Sequence, residues 1–147
     1  MPTGILITYA TRHGATRDIA TALGVALGQA RDGDAVGLAV SVAPVDERPD
    51  PYCFDAVILG SPVSSGRWLA PARLYSTAFA GGLCTRPTWL FSTGTFEHAE
   101  PDDATTIREH VGARGHRWLP SDRRLVESWA GEIARELGPA RSPAAAD

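Results

Sequence analysis

Apolar residues run without interruption from Ile5 to Ile7 and again at Tyr9, then give way to the polar stretch Thr11-Arg12-His13-Gly14-Ala15-Thr16. Beyond it Ile19, Leu23 and Leu27 recur at the spacing of one helix face. The pattern predicts a strand over Gly4 to Ala10, a tight loop, and a helix from about Thr16 to Gln29. After a turn at Asp32-Gly33-Asp34, Val36, Leu38, Val40 and Val42 alternate with small residues, the period of a strand with one less buried face. A polar connection, Pro44 to Pro51, leads to the near-continuous apolar run Phe54 to Gly60, as expected of a buried parallel strand.

The second half repeats the alternation. Pro62 and Gly66 argue for a loop from Ser61 to Trp68. A helix is predicted over Trp68 to Ala80, with Trp68, Ala72, Tyr75 and Phe79 on one face, Pro71 in its first turn and Gly81-Gly82 closing it. Thr88 to Ser92 reads as the fourth strand, and a modest helix spans Asp102 to Gly112 through Ala104, Ile107 and Val111. The fifth strand is either His116 to Leu119 or a place where the sheet is cut back. A last helix, Ser121 to Leu137, carries the stripe Leu125, Val126, Trp129, Ile133 and Leu137 and stops at Gly138-Pro139. Residues 139–147 are rich in Ala and Pro and are expected to be disordered, leaving 1–138 as one domain.

Strand and helix in alternation make an α/β doubly wound parallel sheet, whose ligands sit beyond the carboxyl ends of the strands. The loops after strands one, three and four therefore converge, and all three are rich in Ser, Thr and Gly. The first enters a helix, whose unpaired N–H groups and partial positive charge suit an anion such as phosphate.

Composition narrows the function. With 44% hydrophobic and 21% charged residues among 147, the chain is an ordinary globular one, and its formal charge of −3 argues against general nucleic-acid binding. No apolar run approaches the roughly 18 residues of a membrane span, and no secretory signal is visible, so a cytoplasmic location is expected. Cys53 and Cys84 are isolated and form no metal-ligand pattern. All 14 basic residues are arginine, which excludes a lysine-dependent P-loop and Schiff-base chemistry.

The motif Thr11-x-x-Gly14-x-Thr16 resembles the signature of the flavodoxin family. With Arg12 and Arg17 beside it, it is similar in particular to the branch of flavodoxin-domain proteins that includes the menaquinone-dependent protoporphyrinogen oxidases. The resemblance implies the strand order 2-1-3-4-5 and FMN as cofactor; the family normally has more chain before the last helix, so in this sequence the fifth strand is expected to be short or degenerate. Its phosphate would lie on Thr11, Arg12, His13, Gly14, Ala15 and Thr16. Its ring would lie between Ser61, Pro62, Val63, Ser64, Ser65, Gly66 and Trp68 on one side and Ser92, Thr93, Gly94, Thr95 and Phe96 on the other. Ser65 stands where the related oxidases often place an aromatic; Trp68 and Phe96 are the nearest candidates for stacking. The flavin carries the electrons, so no side chain need act as acid or base.

The implied function is electron transfer or flavin-dependent oxidoreduction, with a redox protein or a quinone- or porphyrin-type molecule as partner. The alternative is a binding or scaffold module that has kept the fold and lost the flavin. The oxidases carry an additional segment near the end of the fold, where this chain is short. The basic stretch Arg108, Arg114, His116, Arg117, Arg123 and Arg124 is either a solvated face or a dock for an acidic partner. A signalling receiver is excluded by Thr11, by Gly60-Ser61 and by the absent lysine. A low-molecular-weight phosphatase fails because Cys53 and Cys84 lead to Leu59 and Leu90 rather than arginine.

Overall fold

The computed structural model describes residues 3–29, 38–94 and 104–137. Five parallel strands form the sheet: β1 (Thr3–Tyr9), β2 (Leu38–Pro44), β3 (Ala56–Ser64), β5 (Thr88–Thr93) and β6 (Gly115–Trp118). A two-residue strand, β4 (Arg67–Trp68), folds back antiparallel on β3. The order is β2-β1-β3-β5-β6, which is the expected 2-1-3-4-5 once β4 is set aside. Helices α1 (Ala15–Gln29) and α5 (Arg123–Leu137) cover one face. The other carries α2 (Ala70–Ala78), α3 (Ala80–Cys84) and α4 (Ala104–Val111). None of these helices is long and apolar enough to cross a membrane, among the described residues.

Strand periodicity sorts the core into two layers. Ile5, Ile7 and Tyr9 of β1 face α1 and α5, meeting Ile19, Leu23 and Leu27 of the first helix and Trp129 and Ile133 of the last. Leu6 and Ala10 point the other way, toward Trp68, Tyr75, Leu83 and Ile107. Edge strand β2 is only partly buried, as its small alternating residues predict. The fifth strand exists: β6 pairs with β5 from Trp89↔Gly115 to Ser92↔Trp118, one residue earlier than the pattern suggests.

Four expectations are corrected. Strand β3 does not end at Gly60 but continues to Ser64. Pro62 is tolerated because β1 pairs with β3 only as far as Gly60, so beyond it one side of the strand has no ladder to lose. The presumed loop is therefore a hairpin, turning at Ser65 and Gly66, both with positive φ (54° and 77°), the requirement of the tight two-residue turn.

The second helix starts at Ala70, not Trp68, because Trp68 is held in β4. Its far end is also displaced. Gly81 and Gly82 lie inside α3 rather than after a helix, since a Cβ on Gly82 would stand 2.7 Å from Pro51 Cγ; glycine here permits close packing. Finally, α5 begins at Arg123, and Leu125, placed in its apolar stripe, is 47% exposed. The turn at 32–34, Val36, Thr95, Phe96, Asp102 and the tail 139–147 lie outside the described residues.

Candidate functional site

At the carboxyl end of β1 the chain turns sharply. Thr11 Oγ1 accepts the Gly14 N–H at 2.9 Å, and Gly14, at φ 93°, swings the backbone into α1. The first helical bond runs from Asp18 N–H to the Gly14 carbonyl at 3.1 Å. The N–H groups of Ala15, Thr16 and Arg17 precede it and have no carbonyl one turn back within the helix. Gly14, immediately before the helix, has no side chain to cap them. The Thr11 hydroxyl, having accepted from Gly14, keeps its proton to donate.

Thr16 is buried, and its Oγ1 lies 2.8 Å from Thr93 Oγ1 at the end of β5. Arg12 reaches the other way, donating from Nη1 to Ser64 Oγ at 3.3 Å across to the end of β3. Arg17 stands 3.9 Å from its neighbour Asp18, both exposed.

These elements enclose a cavity of about 360 Å³. Its walls comprise Thr11, Arg12, His13, Ala15, Thr16 and Ile19 from the first loop and α1, and Pro62, Val63, Ser64 and Leu69 from the β3 side. Thr93 and Gly94 of β5 and Leu119, Pro120 and Ser121 after β6 complete them. Among the described residues no carboxylate lines it, and Arg12 is the one permanently charged side chain that does. The size falls in the ordinary range for small-molecule sites, roughly 300–1,000 Å³.

The structure brings the first loop, Pro62 to Ser64, and Thr93-Gly94 to one place. The other expected residues among those described, Ser61, Ser65, Gly66, Trp68 and Ser92, do not line the cavity. Ser61 is buried, its hydroxyl donating to the Pro62 carbonyl at 2.8 Å and accepting the Leu69 N–H at 3.0 Å. Ser65 and Gly66 form the hairpin tip outside the cavity wall. Trp68 is only 1% exposed, and its indole Nε1 donates to Ser92 Oγ at 2.7 Å, so its ring belongs to the core. Ser92 is buried likewise and lies 2.6 Å from His116 Nε2.

The turn Leu119–Ser121 is the part sequence reasoning missed. It follows the carboxyl end of a parallel strand, so a firm placement of β6 carried the signal. The basic stretch is partly spent on structure: Arg117 pairs with Glu132 at 2.7 Å and lies over Trp129, and Arg114 approaches Glu136 at 3.8 Å and lies over Trp89.

Comparison with known proteins agrees with this architecture. The family model "Flavodoxin domain" matches residues 6–135. A flavodoxin from the domain Archaea superposes with a TM-score of 0.74 at 13% identity, covering 91% of this chain and 98% of that one. Oxidised flavodoxin 1 from Bacillus cereus gives 0.68 at 14% identity, covering 92% and 100%. Rubredoxin oxygen:oxidoreductase from Desulfovibrio gigas gives 0.70 at 16% identity, but the chain spans only 36% of that larger protein while 92% of it is covered. At these identities the structural likeness is one of fold. No curated protein matches the sequence.

Proposed function

The chain belongs to the flavodoxin-domain family, whose cofactor is FMN, and we propose that it binds FMN in the cavity at the carboxyl end of the sheet and serves electron transfer or flavin-dependent oxidoreduction. One observation carries the reading. The uncapped start of α1, the Thr11 hydroxyl and the Arg12 guanidinium converge on a cavity that no carboxylate lines among the described residues and to which Ile19, Pro62, Val63, Leu69 and Leu119 give apolar surface.

The residues fit the cofactor in parts. The N–H groups of Ala15, Thr16 and Arg17 and the donating Thr11 hydroxyl would hold its phosphate. Pro62, Val63, Leu69 and Leu119 would offer apolar surface to the ring, with Thr93 and Gly94 completing the cavity wall. Bound FMN supplies one- and two-electron transfer; the protein binds it, orients it and limits its contact with water. The partner in this reading is a redox protein or a quinone- or porphyrin-type molecule. Porphyrinogen oxidation with a quinone acceptor is the narrower form, and turnover of a porphyrinogen with quinone tests it.

Titrating the purified protein with FMN tests the broad form. Saturable quenching or a shift of the flavin bands supports it. A second reading, a module that has kept the fold without the flavin, is favoured by one feature: no Phe, Tyr or Trp side chain lines the cavity among the described residues. A protein that stays colourless in excess FMN establishes that alternative.

A further inference from the structure

We propose that the mouth of the cavity is a docking surface for the acidic face of a redox partner protein, received by Arg67, Arg123 and Arg124. The inference deepens the electron-transfer reading above and rests on it for the partner's role. Arg67 is exposed on β4 and pairs in register with Ser64, a residue of the cavity wall. Residues directly opposite in an antiparallel pair share a face, so the Arg67 side chain stands on the same side of the hairpin as Ser64. Arg123 and Arg124 open α5, two and three residues after Ser121 of the wall that follows β6. Both are exposed. The guanidinium groups of all three make no hydrogen bond, ring contact or ion pair among the described residues.

Arginines on the flanks are engaged by the protein itself. Arg117 pairs with Glu132 and Arg114 approaches Glu136, each over a tryptophan, and Arg86 donates to the carbonyls of Gly82, Pro51 and Phe54. Arg135, in the last turn of α5, meets the negative end of the helix. Arg123 and Arg124 sit at the opposite end, where the helix is partially positive and cations are unfavourable. Nearby carboxylates do not neutralise them. Asp122 Oδ1 accepts the Arg124 backbone N–H at 2.9 Å, and neither Asp122 nor Glu127 forms an ion pair among the described residues. Asp46 and Glu47 lie past β2, in a turn whose Val45 packs into the other core layer. Exposed positive charge held against a helix field is complementary to a carboxylate-bearing surface. The cavity lies between Arg67 and the α5 pair, so an occupant that meets both has to span its mouth, as a protein surface does and a single carboxylate does not.

The probes are acidic cytochrome b5 and basic cytochrome c, each titrated into the labelled full chain at low ionic strength and followed by proton–nitrogen NMR. Wild type should bind cytochrome b5 with shifts centred on Arg67, Arg123 and Arg124, and lose affinity as salt rises. Cytochrome c should leave those amides unmoved. Arg67→Gln, Arg123→Gln and Arg124→Gln should each weaken cytochrome b5 about two- to fivefold, the range of an exposed charge pair, and the triple variant about tenfold or more. Arg135→Gln, the same charge change at the far end of α5, stays within about twofold of wild type. FMN affinity, titrated separately, is unchanged in the triple variant, since none of its three positions lines the cavity. Shifts centred elsewhere, a preference for cytochrome c, or a triple variant that binds cytochrome b5 like wild type overturns the dock and leaves the cofactor reading standing. Citrate that moves the same amides and binds as tightly as cytochrome b5 marks a small-anion site and overturns it too. Cytochrome b5 bound at this rim by a chain that takes up no FMN upholds the dock and overturns the cofactor reading.

Discussion

The hydroxyls of Thr16 and Thr93 meet at 2.8 Å in the interior, although 77 residues separate them in the chain. The contact fastens the first turn of α1 to the carboxyl end of β5, and both residues also line the cavity. Each hydroxyl can donate or accept, and burial leaves few other partners for them.

Thr93→Val should therefore strand the Thr16 hydroxyl and cost about 1–3 kcal/mol of stability, measured by urea unfolding. The double variant Thr16→Val/Thr93→Val replaces both polar groups by apolar ones of similar shape and should recover part of that loss. FMN affinity should fall in both, because the helix start loses its anchor.

Thr8 shows the opposite case. Its Oγ1 is buried with no hydrogen-bond partner among the described residues. Thr8→Val should raise stability by about 1 kcal/mol, since it removes an unsatisfied group at nearly constant volume. An unchanged or lower unfolding midpoint would refute this.

Trp68 and Ser92 make a third test. Ser92→Ala leaves a buried indole N–H without its acceptor and should destabilise by about 1–3 kcal/mol. The unfolding midpoint reports it.

Tyr75 gives a pH dependence. Its hydroxyl donates to the Pro49 carbonyl at 2.5 Å, and burial, reinforced by Asp50 and opposed by Arg48, pushes its pKa above the ordinary value. The folded state then holds this proton more tightly than the unfolded state, whose pKa is roughly 10. Its contribution to stability is complete below about pH 10 and is lost as the pH rises above that value. Tyr75→Phe should flatten the alkaline slope of stability against pH, measured by denaturant unfolding from neutral to alkaline pH.

How much the sequence reveals differs between elements. Ile19, Leu23 and Leu27 identify the buried face of α1 because one helix face is one repeating pattern, and the alternation around Val40 marks the edge strand for the same reason. Pattern misplaces residues whose position depends on a distant neighbour. Trp68 reads as a helix residue or a stacking ring, yet Ser92, 24 residues away, fixes its indole in the core. Gly82 reads as a stop because its reason, Pro51, lies on another element. Leu125 fits the helical spacing and still faces outward, since the buried face of α5 is centred on Val126, Ala130 and Ile133. In the site, the first loop is legible because its donors are local to one strand–helix junction. The Leu119–Ser121 wall depends on a four-residue strand too polar to stand out.

Successive residues at the end of β5 hold opposite sides of the molecule: Ser92 takes Trp68 on one face, and Thr93 takes Thr16 on the other. A recess braced from both directions keeps its outline before any guest arrives. Association should then be a single-step encounter, with an observed rate rising linearly with nucleotide concentration and showing no plateau from a slower rearrangement.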